Sequence, residues 1–108
     1  MKEGLSGEFP LVSIILVNYN GEDFVADCLK SLREIEYPKD RYEVILVDNA
    51  SKDNSVKLVK ENFPEVRLIT ESKNLGFSGG NNVGVKVAKG EYLVFFNILI
   101  SLLTLTNA

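Results

Sequence analysis

The chain has 108 residues, 45% of them apolar and 25% charged, with a formal net charge of −3. That suits one globular domain, or part of one, burying roughly two-thirds of its unfolded surface, and a mildly acidic chain without a basic stripe argues against nucleic acid as a partner. With no His and a single cysteine, Cys28, imidazole catalysis, His-ligated metals, an internal disulfide and a cysteine zinc cluster are excluded. Met1–Pro10 is polar and lacks the apolar core of a signal peptide, so a cytoplasmic setting is the expectation.

In chain order, Leu11–Val17 is nearly all apolar and rich in β-branched residues, which predicts a strand. Asn18-Tyr19-Asn20-Gly21 follows as a turn. Phe24, Val25, Cys28, Leu29, Leu32 and Ile35 then recur at helical spacing; Cys28, among them, reads as a buried thiol. Tyr37-Pro38 ends that helix. Next comes Glu43–Ser51, in which Val44–Val47 has no polar face, the mark of a strand covered on both sides in a parallel sheet. It stops at Asp48, and Asn49, Ala50 and Ser51 turn the chain. A carboxylate there lies on the edge where open α/β sheets bind ligands. Capping the next helix is the competing role, and position alone does not choose between them.

A second helix is predicted from Asn54 to Asn62, with Val56, Val59 and Phe63 on one face, Asp53 or Asn54 as its cap, and Pro64 closing the segment. Val66–Thr70 is a shorter third strand. Glu71–Asn82 is rich in glycine and amides and opens a third helix ending near Lys89, with Gly90 at C′. Tyr92–Phe96 is the fourth strand. The order β-α-β-α-β-α-β implies a three-layer α/β/α fold with a mostly parallel sheet and right-handed crossovers.

Asn97–Ala108 breaks this rhythm. Ile98, Leu99, Ile100, Leu102, Leu103 and Leu105 are all apolar and no charge occurs among them. The run is shorter than the roughly 20 residues that span a bilayer. An extra strand, an apolar element covered by a partner, or a chain cut from something larger are the expectations, with peripheral contact to the inner face of a membrane left open.

Three loops, after strands one, two and three, carry the polar groups that could meet a nucleotide. Asn18-Tyr19-Asn20 offers amides and an aromatic ring. Asp48 is a permanent acceptor for a ring N–H or a ribose hydroxyl. Gly76–Gly80 could turn backbone N–H groups toward an anion such as a diphosphate, or serve only a tight loop and close helix–sheet packing. Neither Gly-x-Gly-x-x-Gly after the first strand nor a P-loop occurs, which disfavours a dinucleotide-binding domain and excludes a P-loop nucleotidase.

Three blocks, Val12–Asn20 (Val-Ser-Ile-Ile-Leu-Val-Asn-Tyr-Asn), Val47–Ser55 (Val-Asp-Asn-Ala-Ser-Lys-Asp-Asn-Ser) and Asn74–Gly84 (Asn-Leu-Gly-Phe-Ser-Gly-Gly-Asn-Asn-Val-Gly), occur in the order and at the separations found in family 2 glycosyltransferases. The chain resembles the N-terminal, nucleotide-binding half of such an enzyme, in its rhamnosyltransferase-like branch. The resemblance implies a Rossmann-like GT-A fold with strand order 3-2-1-4, and inverting transfer of a sugar from a UDP- or dTDP-linked donor to an acceptor hydroxyl. It places the nucleotide-sugar site on Val17, Asn18, Tyr19, Asn20, Asp48, Asn49, Asn74, Gly76, Asn81 and Asn82, with Asp48 reading the base.

The departure from the family comes after the fourth strand. An intact member carries a carboxylate there that holds Mg²⁺ or Mn²⁺ on the donor diphosphate. Here the matching residues read Asn97-Ile98-Leu99, and an alkyl side chain cannot coordinate a hard cation. No Asp or Glu follows Glu91, so no catalytic base is supplied either. No catalytic or metal-binding residue is therefore assigned, and no cofactor is expected on this chain alone. Residues 1–97 are read as the nucleotide-sugar-binding half, and 98–108 as an atypical tail related to truncation. The chain is expected to bind a UDP- or dTDP-sugar weakly, to catalyse nothing by itself, and to form a homodimer or larger assembly. A non-catalytic module binding a nucleotide or a protein is the alternative. A signalling receiver domain is disfavoured, because Asn18-Tyr19-Asn20 and Glu71-Ser72 stand where it needs acidic residues.

Overall fold

A computed structural model describes residues 9–96. Its elements are β1 (Val12–Asn18), α1 (Glu22–Arg33), a 3₁₀ turn (Lys39–Arg41), β2 (Tyr42–Asp48), α2 (Ser55–Asn62), β3 (Arg67–Thr70), α3 (Gly76–Val87) and β4 (Tyr92–Phe96). The four strands form one parallel sheet in the order β3-β2-β1-β4. This is the fold and strand order expected. Among the described residues, no helix is long and apolar enough to cross a membrane.

The two central strands are apolar on both faces because both faces are covered. On one side Ile14, Leu16, Val44 and Leu46 pack with Val25, Cys28, Leu29 and Leu32 of α1, Val59 of α2, and Phe63 and Val66 beyond it. On the other, Ile15, Ile45 and Val47 meet Val83 and Val87 of α3. Alternation along the strand sends neighbouring side chains to opposite layers. α3 lies close to the sheet: a Cβ on Gly84 would come within 2.6 Å of Ile15 Cγ2, and one on Gly80 within 2.8 Å of Val17 Cγ1.

Several boundaries differ from expectation, each for a local reason. β1 extends to Asn18, whose pairing with Asp48 continues the ladder. Ile35 lies beyond the end of α1 but still packs on the core. α3 begins at Gly76, in a left-handed conformation (φ 79°), so the helix takes in Gly79 as well as Gly80, which was expected there. The helix stops at Val87, before Lys89. Gly90 is not a left-handed C′ residue, since Gly76 is the positive-φ glycine among the described residues. It is small because it abuts β1: a Cβ there would stand 2.5 Å from the Ser13 backbone nitrogen. Gly90 N donates to Ser13 Oγ (2.8 Å), and Ser13 Oγ donates to Glu43 Oε2 (2.6 Å), which also accepts from Lys89 N (2.7 Å). This chain ties the return into β4 to the two central strands.

α1 and α2 brace each other at their N-termini. Asn54 holds the N-cap position of α2 without a side-chain cap bond; Asp53 does the work, accepting from Ser55 N at 3.0 Å and from Ser55 Oγ through Oδ1, and from Glu22 N at 3.0 Å through Oδ2. Asn54 N donates in return to Glu22 Oε1 at 3.1 Å. Burial pushes the Asp53 pKa up, but the bonds from Ser55 and Glu22 outweigh it and hold the carboxyl below its ordinary value. The tail expected to be atypical, 98–108, lies outside the described residues.

Candidate functional site

A parallel sheet brings all its strand-to-helix loops to one edge, and the C-terminal ends of β1 and β2 sit side by side there through the pair Asn18↔Asp48. A cavity of about 320 Å³ opens at this edge. The end of β1 contributes Val17 and Asn18, the turn after it Tyr19, Asn20 and Gly21, and the first turn of α1 Phe24. Asn49 comes from the turn after β2, Asn74 from the loop before α3, and Gly76 and Phe77 from its first turn. Tyr19 and Phe77 are about half exposed. Large rings left in water are costly, and at a cavity rim they offer faces on which a planar ring can stack.

Behind this wall lies a hydrogen-bonded clasp between the two loops. Asp48 is 2% exposed. Its Oδ1 accepts from Asn18 Nδ2 (2.9 Å) and Ser51 Oγ (2.7 Å), and its Oδ2 from Ser51 N (2.9 Å). Ser51 Oγ in turn accepts from Asn20 N at 2.8 Å and from Asn18 Nδ2 at 3.3 Å. Asn20 Oδ1 accepts from Lys52 N (2.8 Å), and Asn49 N donates to Asn18 O (2.9 Å). Asn20 (φ 51°) and Ala50 (φ 63°) are the non-glycine residues with positive φ among those described. Ala50 in particular has no side-chain hydrogen bond to offset that strain, so the clasp holds both turns where they would not rest alone.

The Asp48 carboxylate, which can only accept, fixes the Asn18 amide with Nδ2 toward it. Asn18 Oδ1 is then turned to Gly21, where a Cβ would approach to 2.3 Å. It is the buried side-chain polar atom without a hydrogen-bond partner among the described residues. Gly21 is thus required by the fit of Asn18. The third wall is fixed by Asn49, 1% exposed, whose Nδ2 donates to Gly76 O at 2.9 Å and whose Oδ1 accepts from Leu75 N at 3.4 Å. Asn74 Oδ1 accepts from Gly76 N at 2.8 Å, so the first N–H of α3 is already engaged.

Of the residues expected at the site, Val17, Asn18, Tyr19, Asn20, Asn49, Asn74 and Gly76 line one cavity. Asp48 stands behind Asn18 without lining it. Asn81 is buried on α3 and Asn82 is exposed, and neither lines the cavity. Gly21, Phe24 and Phe77 line it without having been expected. Phe77 carried the signal that could have found it, a large apolar side chain in a run of glycines and amides with no core face to join. None of the lining residues is acidic, and no group of three or more His, Cys, Asp or Glu suited to a metal occurs among the described residues. The donor set present does not fit a hard divalent cation.

Comparison with known proteins gives a consistent family. The model of glycosyl transferase family 2 matches residues 13–97. The poly(ribitol-phosphate) beta-glucosyltransferase of Bacillus spizizenii is 39% identical over 88 residues, which cover 78% of this chain and 14% of that protein. Glycosyltransferase AglE of Haloferax volcanii is 27% identical over 96 residues, 86% of this chain and 32% of its own length. The chain therefore spans a seventh to a third of these relatives. Among solved structures, the mannosyltransferase PcManGT from Pyrobaculum calidifontis, in complex with GDP-Man and Mn²⁺, superposes with a TM-score of 0.75 at 30% identity, over 82% of this chain and 27% of that one. S. aureus TarS 1–349 in complex with UDP gives the same TM-score, identity and coverage.

Proposed function

The chain belongs to glycosyl transferase family 2, and from that premise we propose that residues 1–97 are the nucleotide-sugar-binding half of an inverting glycosyltransferase acting on a UDP- or dTDP-linked donor and an acceptor hydroxyl. The observation that carries this reading is the cavity at the ends of β1 and β2, with Tyr19 and Phe77 half exposed on its rim. A pyrimidine would stack on those rings, with the amides of Asn18, Asn20, Asn49 and Asn74 within its reach. Asp48, beside Asn18 and with acceptor capacity left on Oδ2, is the residue we assign to reading the base. TarS has been seen with UDP and with UDP-GlcNAc, which supports a nucleotide sugar as the partner here.

Transfer chemistry is not assigned to this chain. Sugar transfer from a diphosphate needs the leaving group's charge neutralised and the acceptor hydroxyl deprotonated. PcManGT has been seen with Mn²⁺; in this chain the residues after β4 read Asn97-Ile98-Leu99, and no carboxylate follows Glu91. Residues 98–108 are read as a tail outside the family pattern. Purified chain incubated with UDP- or dTDP-sugars and Mn²⁺ is expected to bind nucleotide and transfer nothing. Turnover above background that Asp48→Ala abolishes would overturn the second half of the proposal, and failure to bind either nucleotide would overturn the first.

A further inference from the structure

We propose that Ser51 is a positioning residue of the nucleotide site: its hydroxyl locks the turn after β1 so that Tyr19 stays on the cavity rim. The proposal rests on the nucleotide reading above. Ser51 is neither a core residue nor the cap of α2, since it is partly exposed and Asp53 serves the start of that helix. Every bond of its side chain runs to the site instead. It donates to Asp48 Oδ1 at 2.7 Å, and accepts from Asn20 N at 2.8 Å and Asn18 Nδ2 at 3.3 Å. Tyr19 lies between the two residues whose groups it accepts from. One hydroxyl thus joins the base-side carboxylate, the amide that lines the cavity and the backbone of the turn that carries the aromatic wall.

The turn needs such a lock. Asn20 holds a left-handed conformation at φ 51°, and Ala50, next to Ser51, holds another at φ 63°. Residues in that region persist when surrounding bonds over-determine them. Without the hydroxyl, Asn20 N loses its acceptor and opens to water, because Asn20 is exposed, and the turn keeps only the bond from Lys52 N to Asn20 Oδ1. The sheet and helices do not depend on that bond. The expected result of its loss is a site that must be ordered on binding, which costs affinity, in a domain that is otherwise intact.

The test compares the 108-residue chain with Ser51→Ala and with Ser51→Thr, which keeps the hydroxyl. Amide exchange at Asn20, measured without ligand, should speed by about tenfold or more in Ser51→Ala, while the core amides of Ile15 and Leu46 keep their rates. The UDP dissociation constant should rise by about tenfold, and Ser51→Thr should restore both. Unchanged exchange at Asn20 in Ser51→Ala would overturn the proposal, as would wild-type affinity in that variant. So would equal impairment in the threonine variant, or a matching loss of protection at Ile15 and Leu46, either of which would make Ser51 merely structural. If the wild-type chain binds no UDP, the nucleotide reading fails, and exchange at Asn20 still decides whether Ser51 locks the turn.

Discussion

Gly84→Ala tests how closely α3, which carries the Gly76–Phe77 wall, is seated on the sheet. In an exposed helix this change would stabilise by about 1 kcal/mol, because alanine restricts the unfolded chain and favours the helix. Here the new Cβ would lie 2.6 Å from Ile15 Cγ2, with Ile15 Cγ1 at 3.4 Å and Cβ at 3.6 Å. Ile15 is fully buried in the central strand, between Ile14 and Leu16 on a ladder paired on both sides, so it has no free direction to retreat. Overpacking of this kind costs about 1–3 kcal/mol. The balance is a net destabilisation of about 1 kcal/mol, and it should read as a fall of roughly 0.5 M in the urea midpoint with an unchanged slope. Ile15→Ala removes the clashing methyl, so the double variant should be less destabilised than the two single changes summed, by about 1–2 kcal/mol. The sign decides: a Gly84→Ala variant more stable than wild type would show that α3 does not press on β1 as described.

Gly90→Ala should cost more, about 3 kcal/mol, because its Cβ would meet backbone, Ser13 N at 2.5 Å and Tyr92 O at 2.9 Å; a urea midpoint within error of wild type would refute this. Asp53 and Glu65 are both held below their ordinary values of 3.8 and 4.5. Burial opposes this at Asp53, where the Ser55 and Glu22 bonds prevail, and the Arg33 side-chain bond comes first at Glu65. Carboxyls lowered in the folded state stabilise it above the unfolded pKa and cease to do so as pH falls through the folded one. Stability should therefore drop below about pH 4, and Asp53→Asn should flatten part of that drop; an equal drop in the variant would contradict the assignment. Self-association through β4 and the apolar residues after it is also expected, since Tyr92, Leu93, Val94 and Phe95 are all substantially exposed, β4 is an edge strand among the described residues, and an unpaired strand edge pairs readily. Light scattering that reports a monomer at high concentration would refute it.

The fold was legible in the sequence wherever burial on both faces left an apolar run, as in Val44–Val47, or where helical spacing marked one face, as in Val25, Cys28, Leu29 and Leu32. The strand order was not in the pattern; it came with the family resemblance, and the register bears it out. Seven of the expected site residues share one cavity because they follow neighbouring strands that end on the same edge. What local pattern could not show is contact set by how the strands pair. That Asp48 is clasped by Asn18 and Ser51, that Gly21 is small to admit Asn18 Oδ1, and that Gly90 abuts Ser13 all depend on the register of β1 with its neighbours. Phe24 was placed on the core face of its helix, where it does pack, and only the fold shows that it lines the cavity as well; Phe77 stood in the loop with no core face to join, and only the fold shows which cavity it borders.

A titration of isotope-labelled chain with UDP, followed by amide chemical shifts, tests whether the cavity at the ends of β1 and β2 takes the donor nucleotide. Binding should be weak, near millimolar or about −4 kcal/mol, with the shifts concentrated at Val17–Asn20, Asp48–Ser51, Asn74, Gly76 and Phe77, and with affinity lowered in Asp48→Asn while the protein remains folded. Shifts scattered over α2 and the far edge at β3, or no shifts at all, would contradict the assignment of this cavity to the donor nucleotide.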